Sequence, residues 1–261
     1  MLDLQQGRHA PLDTLVDLTG IPEMALVEIH PPDLFIGAAA SLSRIAHSSL
    51  VVEHAQALVE ACHLIGGPQV RNVATLGGNV AHALPAADGT IALMALDARA
   101  QVANLNGRRT VPLAELFLGP GESSLKTGQE LLVGFYLPLK KVQQASAFKR
   151  IMRSQGIALP ILNLAVWLER QSERIARVRI AVGPSGTTPR RMTAAEQVLD
   201  DQAFTAERNL TALEALFQQA HFRTSPHRAS MEYRRHLVAG LFNEALLSAW
   251  ERAKPIEVDN G

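Results

Sequence analysis

The chain has 261 residues, enough for one large domain or two modest ones, and nearly half of them are apolar, which supports a sizeable core. Lysine plus arginine and aspartate plus glutamate balance at 25 each, and aromatic residues are sparse. Neither the charge nor the stacking surface of a nucleic-acid-binding protein is therefore expected. The single cysteine, Cys62, excludes an internal disulfide and a thiolate-ligated iron–sulfur cluster within this chain.

Residues 1–6 lack the basic segment and apolar core of a signal peptide. The longest apolar run, residues 157–168, is too short for a bilayer and contains Pro160 and Asn163. The expectation is a soluble, cytoplasmic protein in a reducing compartment, with no transmembrane segment.

In chain order, residues 15–18 form a strand-like run ended by Gly20 and Pro22, and residues 24–29 and 34–38 read as two further strands. Ser41 caps a short helix holding Leu42 and Ile45. Residues 53–65 form a better helix, because Ala57, Leu58, Ala61, Cys62 and Ile65 fall on one face. Among Leu58 and Ile65, Cys62 reads as a small buried hydrophobe. Gly66, Gly67 and Pro68 stop this helix. A glycine turn at Gly77-Gly78 precedes a helix over residues 90–98, a strand over 99–103, a hairpin at Asn106-Gly107 and its return strand over 108–111. A short helix over 112–117 and a strand over 130–137 complete a half that reads as α+β.

Residues 140–146 are polar and unpatterned and read as the passage to a second domain. Strands follow at 147–152, 163–169 and 175–182, then a loop at Gly183-Pro184-Ser185-Gly186. Three helices come next. The first begins at Thr193, where Thr193 and Glu196 have capping-box spacing, and the second covers 207–220. The third covers 230–252, with Leu237, Leu241, Ala245 and Ala249 repeating every four residues. A small sheet covered by helices is the expected result, with a frayed tail after Lys254.

The stretch Arg71-Asn72-Val73-Ala74-Thr75-Leu76-Gly77-Gly78-Asn79, followed by Pro85 and Asp88, carries the chemistry. Two adjacent glycines permit positive φ at both positions, and the amides of such a turn converge on an anion, phosphate above all. Thr75 and Asn79 add short hydrogen-bonding side chains. Asp88 adds a carboxylate suited to sugar hydroxyls, or a cap for the helix beginning near Thr90. The pattern reads either as a nucleotide cradle or as a tight turn between packed elements. Nine scattered histidines show no metal-ligand spacing. His82 stands apart because it lies between the glycine turn and Asp88.

These residues, with Leu93 to Ala98, Ile36-Gly37-Ala38, Glu130-Leu131-Leu132, Phe148-Lys149, Arg153 and the Ser230-to-Arg235 segment of S-x-x-Y-R type, resemble the FAD-binding medium subunit of the molybdenum hydroxylases. That family includes xanthine dehydrogenase and the aerobic molybdenum-type carbon monoxide dehydrogenase. The resemblance implies an α+β fold over two regions. Residues 1–140 would form a flavin-binding region of vanillyl-alcohol-oxidase/PCMH-like type, and residues 147–254 a three-stranded sheet with three helices. It implies an oxidoreductase subunit that takes electrons from 2Fe-2S clusters through FAD to NAD, oxygen or a quinone. Molybdopterin and the clusters would reside on a large and a small partner subunit. Carried over, Ala74, Thr75, Gly77, Gly78 and Asn79 would line the flavin diphosphate and Asp88 would meet ribityl or ribose hydroxyls. Leu131 and Leu132 would flank the isoalloxazine ring, and Lys149 would approach it.

One departure is expected to matter. The family carries an earlier Ala-Gly-Gly-Thr-Asp-Leu type loop that this sequence lacks, a piece on the order of 40 residues, about one βαβ-type unit. Its absence would remove several N–H contacts to FAD, each worth ~1.5–3 kcal/mol. A misassigned start, a genuine short form, and a degenerate subunit kept for assembly without FAD are the three explanations open at this level.

Overall fold

The computed structural model describes residues 14–152, 159–225 and 228–254. The sequence expectations for residues 1–6, Arg153 and the tail lie outside the described residues. Residues 14–18 run as irregular chain, and the strand expected at 15–18 is absent. Leu15 and Val16 are exposed, and the nearby sheet ends at an edge with which this run does not pair. Only the latter part of the second expected strand forms. Pro22 opens a 3-10 turn, Pro22–Ala25, before β1 (Val27–His30) begins.

β1 pairs antiparallel with β2 (Asp33–Gly37). The hairpin β3 (Arg99–Asn104) and β4 (Gly107–Pro112) forms as expected, but its two-residue loop is Leu105-Asn106. Gly107, at φ 133°, instead opens the return strand opposite Asn104, and Asn104 accepts the Asn106 N–H at 2.8 Å. A single 3-10 turn, Leu113–Leu116, replaces the short helix expected at 112–117. It leads into the small pair β5 (Phe117–Gly119) and β6 (Glu122–Ser123). β7 (Leu131–Pro138) then inserts between β2 and β3, giving the order β1-β2-β7-β3-β4.

Between β2 and β3 the chain builds short helices. Ser41 caps α1 (Leu42–Ala46) by accepting the Arg44 N–H at 3.2 Å. The one helix expected over 53–65 is two, α2 (Ser49–His54) and α3 (Gln56–Leu64), broken at Ala55. The cause lies in the second half of the chain. The Ala57 amide, which an unbroken helix would direct back to Glu53, donates to Ser146 Oγ at 3.0 Å. Gly66, at φ 55°, ends α3 as expected. Pro68 does more than stop it, because it opens α4 (Pro68–Val73), where a proline in the first turn costs nothing. α5 (Leu76–Ala81) and α6 (Asp88–Ala95) complete this half.

The second half holds the three long antiparallel strands expected: β8 (Gln144–Met152), β9 (Pro160–Gln171) and β10 (Arg174–Gly183). Two short strands, β11 (Arg190–Arg191) and β12 (Gln202–Ala203), add to β10. α7 (Thr193–Leu199), α8 (Ala206–Gln219) and α9 (Met231–Arg252) follow. The capping box expected at Thr193 and Glu196 does not form. Met192 occupies the cap position, and the buried Glu196 turns inward to accept from Ile180 N at 2.8 Å and from Arg191 at 2.6 and 2.9 Å. Three donors outcompete one exposed amide for a buried carboxylate. Gln219 covers the helix start instead, accepting the Ala194 N–H at 2.9 Å.

Strand alternation divides the second sheet between two cores. Ala147, Leu164 and Val166 pack beneath α9 with Phe242, Leu246 and Trp250, whereas Phe148, Ala165 and Trp167 join the first half's core of Phe35, Leu58, Leu76 and Phe135. Polar contacts reinforce the joint. Glu60 accepts the Phe148 amide at 2.7 Å and pairs with Arg252 at 2.5 Å, and Arg252 also reaches the Ser146 carbonyl at 2.9 Å.

Candidate functional site

The Gly77-Gly78 stretch is the first turn of α5 rather than a left-handed turn. Neither glycine has positive φ, which corrects the conformation expected from the sequence. Thr75 caps this turn by accepting the Gly78 amide on Oγ1 at 3.0 Å. Beside it, Ala38 to Leu42 runs antiparallel. Leu42 N donates to the Ala74 carbonyl at 2.9 Å, Leu76 N to the Ala40 carbonyl at 3.3 Å, and Gly77 N to the Ala38 carbonyl at 2.8 Å. Ala38 N in turn donates to the Val133 carbonyl at 2.9 Å. The end of β2, the start of α5 and the start of β7 are thus one hydrogen-bonded unit.

The two glycines serve different ends. A Cβ on buried Gly77 would stand 2.6 Å from the Ala38 Cβ and carbonyl oxygen, so glycine is required for close approach. Gly78 is exposed, and a Cβ there would meet only Thr75 Oγ1, at 3.2 Å. Both amides already have internal acceptors, so the donors left uncommitted at this turn are side chains. Thr75 Oγ1 accepts from Gly78, which leaves its hydroxyl proton to donate. Asn79 Oδ1 accepts the Thr90 N–H at 3.2 Å, which leaves its Nδ2 amide hydrogens to donate. Half-buried Thr75 and Asn79 thus each keep a donor near exposed Gly78, and such donors suit an anion.

Asp88 opens α6 and is buried. It does not cap the helix, since Ala87 holds the cap position without any side-chain bond. Its carboxylate turns to the second sheet, accepting from Arg150 Nη1 and from Asn163 Nδ2, the latter at 2.6 Å. Asn163 Nδ2 also donates to the Ala86 carbonyl at 3.0 Å. Burial pushes the Asp88 carboxyl above its ordinary value, against the pull of Arg150 and Asn163. Burial, then the Asp88 charge, push Cys62 up to about 12.

Leu131 and Leu132 open β7 opposite Ala103 and Val102 and pack on the first core, next to Val133 and hence next to the turn's anchor. Ala74 ends α4 at the base of the same turn, and His82 is exposed at the far end of α5. Lys149 is not brought to this cluster. It lies on the α9 side of β8, lining a cavity of about 280 Å³ with His236 and Glu244. Its neighbour Arg150 also borders that cavity but sends its guanidinium to Asp88. Arg150 and Asn163 are the residues that sequence reasoning missed. The signal for Asn163 was available, as a lone amide inside an apolar run.

The family described as the FAD binding domain in molybdopterin dehydrogenase matches residues 1–140, and the CO dehydrogenase flavoprotein C-terminal domain matches residues 146–249. The chain belongs to the FAD-binding medium subunits of the molybdopterin dehydrogenases. Its relatives are named dehydrogenase and hydroxylase subunits. This flavoprotein-family subunit is 30% identical to the nicotine 6-hydroxylase medium subunit of Paenarthrobacter nicotinovorans, over 97% of this chain and 87% of that protein. It is also 30% identical to the xanthine dehydrogenase FAD-binding subunit of Escherichia coli O157:H7, over 90% of this chain and 80% of that one. Among solved structures, the carbon monoxide dehydrogenase of Hydrogenophaga pseudoflava that lacks the Mo-pyranopterin moiety superposes with a TM-score of 0.90 at 28% identity. That match covers 96% of this chain and 86% of that one. Among the described residues, no helix is long and apolar enough to cross a membrane.

Proposed function

We propose that this subunit holds FAD and passes electrons through it, from 2Fe-2S clusters on a small partner subunit to an acceptor such as NAD, oxygen or a quinone. A large partner would carry molybdopterin and oxidise the organic substrate. The observation that carries the reading is the pair of uncommitted donors on half-buried Thr75 and Asn79 near exposed Gly78, inside the region matched by an FAD-binding family. When bound, FAD supplies the exchange between paired and single electrons that such a relay needs.

In this reading Thr75 and Asn79 donate to the flavin diphosphate across the open surface at Gly78. Ala74 and Gly77 shape the backbone beneath it, and Leu131 and Leu132 supply an apolar wall beside it. Asp88 and Lys149, whose side chains turn away from the outer face of the turn, take supporting places rather than ligand contacts. Residues 1–140 and 147–254 act as the two working regions, the second bracing the first.

The test is FAD titration of the full chain, followed by quenching of flavin fluorescence. Thr75→Val and Asn79→Ala should each weaken FAD by about tenfold, the loss of one hydrogen bond to a charged group. Unchanged affinity in both variants contradicts the placement of the diphosphate.

A further inference from the structure

Among the described residues, the deepest polar cluster outside the outer face of the turn lies where the second sheet meets α6. Asp88, Asn163 and the Arg150 side chain are almost wholly buried there. Thr90 Oγ1, Arg150 Nε and Asn163 Oδ1 are also buried and have no partner among the described residues. So much polar surface is a poor way to glue two cores together, since apolar residues of the same volume would serve better. A polar cluster of this kind earns its place by fixing geometry.

What it fixes can be followed bond by bond. Arg150 on β8 and Asn163 on β9 hold the Asp88 carboxylate, and Asn163 also holds the Ala86 carbonyl. These contacts set the first turn of α6. From that turn the Thr90 amide donates to Asn79 Oδ1 at 3.2 Å, which orients the Asn79 amide. Packing reinforces the path at two glycines. A Cβ on Gly89 would stand 2.8 Å from Asn79 Oδ1, and one on Gly183 would stand 2.5 Å from Asn163 Oδ1 and 2.7 Å from the Pro85 carbonyl.

We propose that Arg150 and Asn163 are positioning residues for the flavin turn. Through Asp88 and α6, the second domain sets the orientation of Asn79 and hence the grip of the Thr75–Asn79 surface on the cofactor. The proposal rests on the reading of that surface as a flavin-diphosphate site. Neither residue touches the ligand. Both act through the α6 start.

Two measurements on the full chain test it, one with FAD and one without. Amide hydrogen exchange on the FAD-free protein should show faster exchange at residues 76–79 in Arg150→Met, with β3 and β4 unchanged. FAD titration should show affinity falling by about tenfold, as for loss of one hydrogen bond to a charged group. Arg150→Lys, which keeps the charge, should recover most of both. If Arg150→Met does not fold, Asn163→Ser is read in the same way. A variant that loses thermal stability while its turn exchange and FAD affinity match the wild type overturns the proposal, because the cluster is then only a structural joint. A wild-type chain that takes up no FAD overturns the reading of the surface itself, and the exchange comparison still decides whether Arg150 positions the turn.

Discussion

The amide of Gly77 donates to the Ala38 carbonyl at 2.8 Å, and a Cβ on Gly77 would lie 2.6 Å from the Ala38 Cβ. The two backbones are therefore in contact, and only glycine fits between them. Gly77→Ala should cost about 1–3 kcal/mol through forced displacement of β2's end. Gly78→Ala, which meets only Thr75 Oγ1 at 3.2 Å, should leave the melting temperature close to that of the wild type. Thermal unfolding of the two variants side by side checks this, and equal losses would contradict the distinction between a packing glycine and a surface one.

The Asp88–Arg150 pair makes a signed pH prediction. Burial raises the Asp88 carboxyl above its ordinary 3.8, and Arg150 is the main opposing influence. Arg150→Met pushes that carboxyl higher still. A group raised in the folded state contributes its full stability below the unfolded value and loses it as pH rises through the folded one. The variant should therefore lie nearest the wild type in acid and fall further behind toward neutral pH. There, breaking a buried pair costs about 3–5 kcal/mol. Denaturant unfolding at several pH values measures the gap, and a gap that narrows toward neutrality contradicts the pairing.

Cys62 is buried and its thiol is pushed up to about 12. The folded chain should resist thiol reagents at neutral pH and react at once when unfolded. Because the unfolded thiol ionises from its ordinary 9.0, stability should decline as pH rises from there toward 12. Cys62→Ala should remove that part of the alkaline loss. Rapid modification of the native protein would show that Cys62 is accessible.

Two glutamates separate a bridge across cores from one on the surface. Glu60 holds both the Phe148 amide and Arg252. Glu60→Ala leaves a partly buried donor unsatisfied and should cost about 1–3 kcal/mol. Glu23 pairs with Arg108 in the open, where an ion pair is worth about 0–1 kcal/mol, so Glu23→Ala should change little. Equal destabilisation by the two would mean that Glu60 does not hold the joint.

Much of this fold is legible in the sequence because local chemistry and tertiary context agree. Ser41 caps the helix expected after it, and the strands expected at 147–152, 163–169 and 175–182 become β8, β9 and β10. Legibility fails where a distant residue decides. Ser146 breaks the helix expected over 53–65 by taking the Ala57 amide, and Arg191 and Ile180 draw Glu196 away from its capping position. The site shows the same division. Thr75, Gly78 and Asn79 stand out in the motif as the residues to propose for a ligand. Arg150 is not, because its meaning comes from which face of β8 it occupies, and that face is set by the register of β8 on β9.

The most direct test of a flavin relay is the flavin content of this chain purified with any subunits that accompany it, read from the visible spectrum and from FAD released on denaturation. A flavin relay predicts a yellow preparation with FAD stoichiometric to this chain, and markedly less FAD with Thr75→Val. A fully assembled, colourless complex that releases no FAD would contradict it.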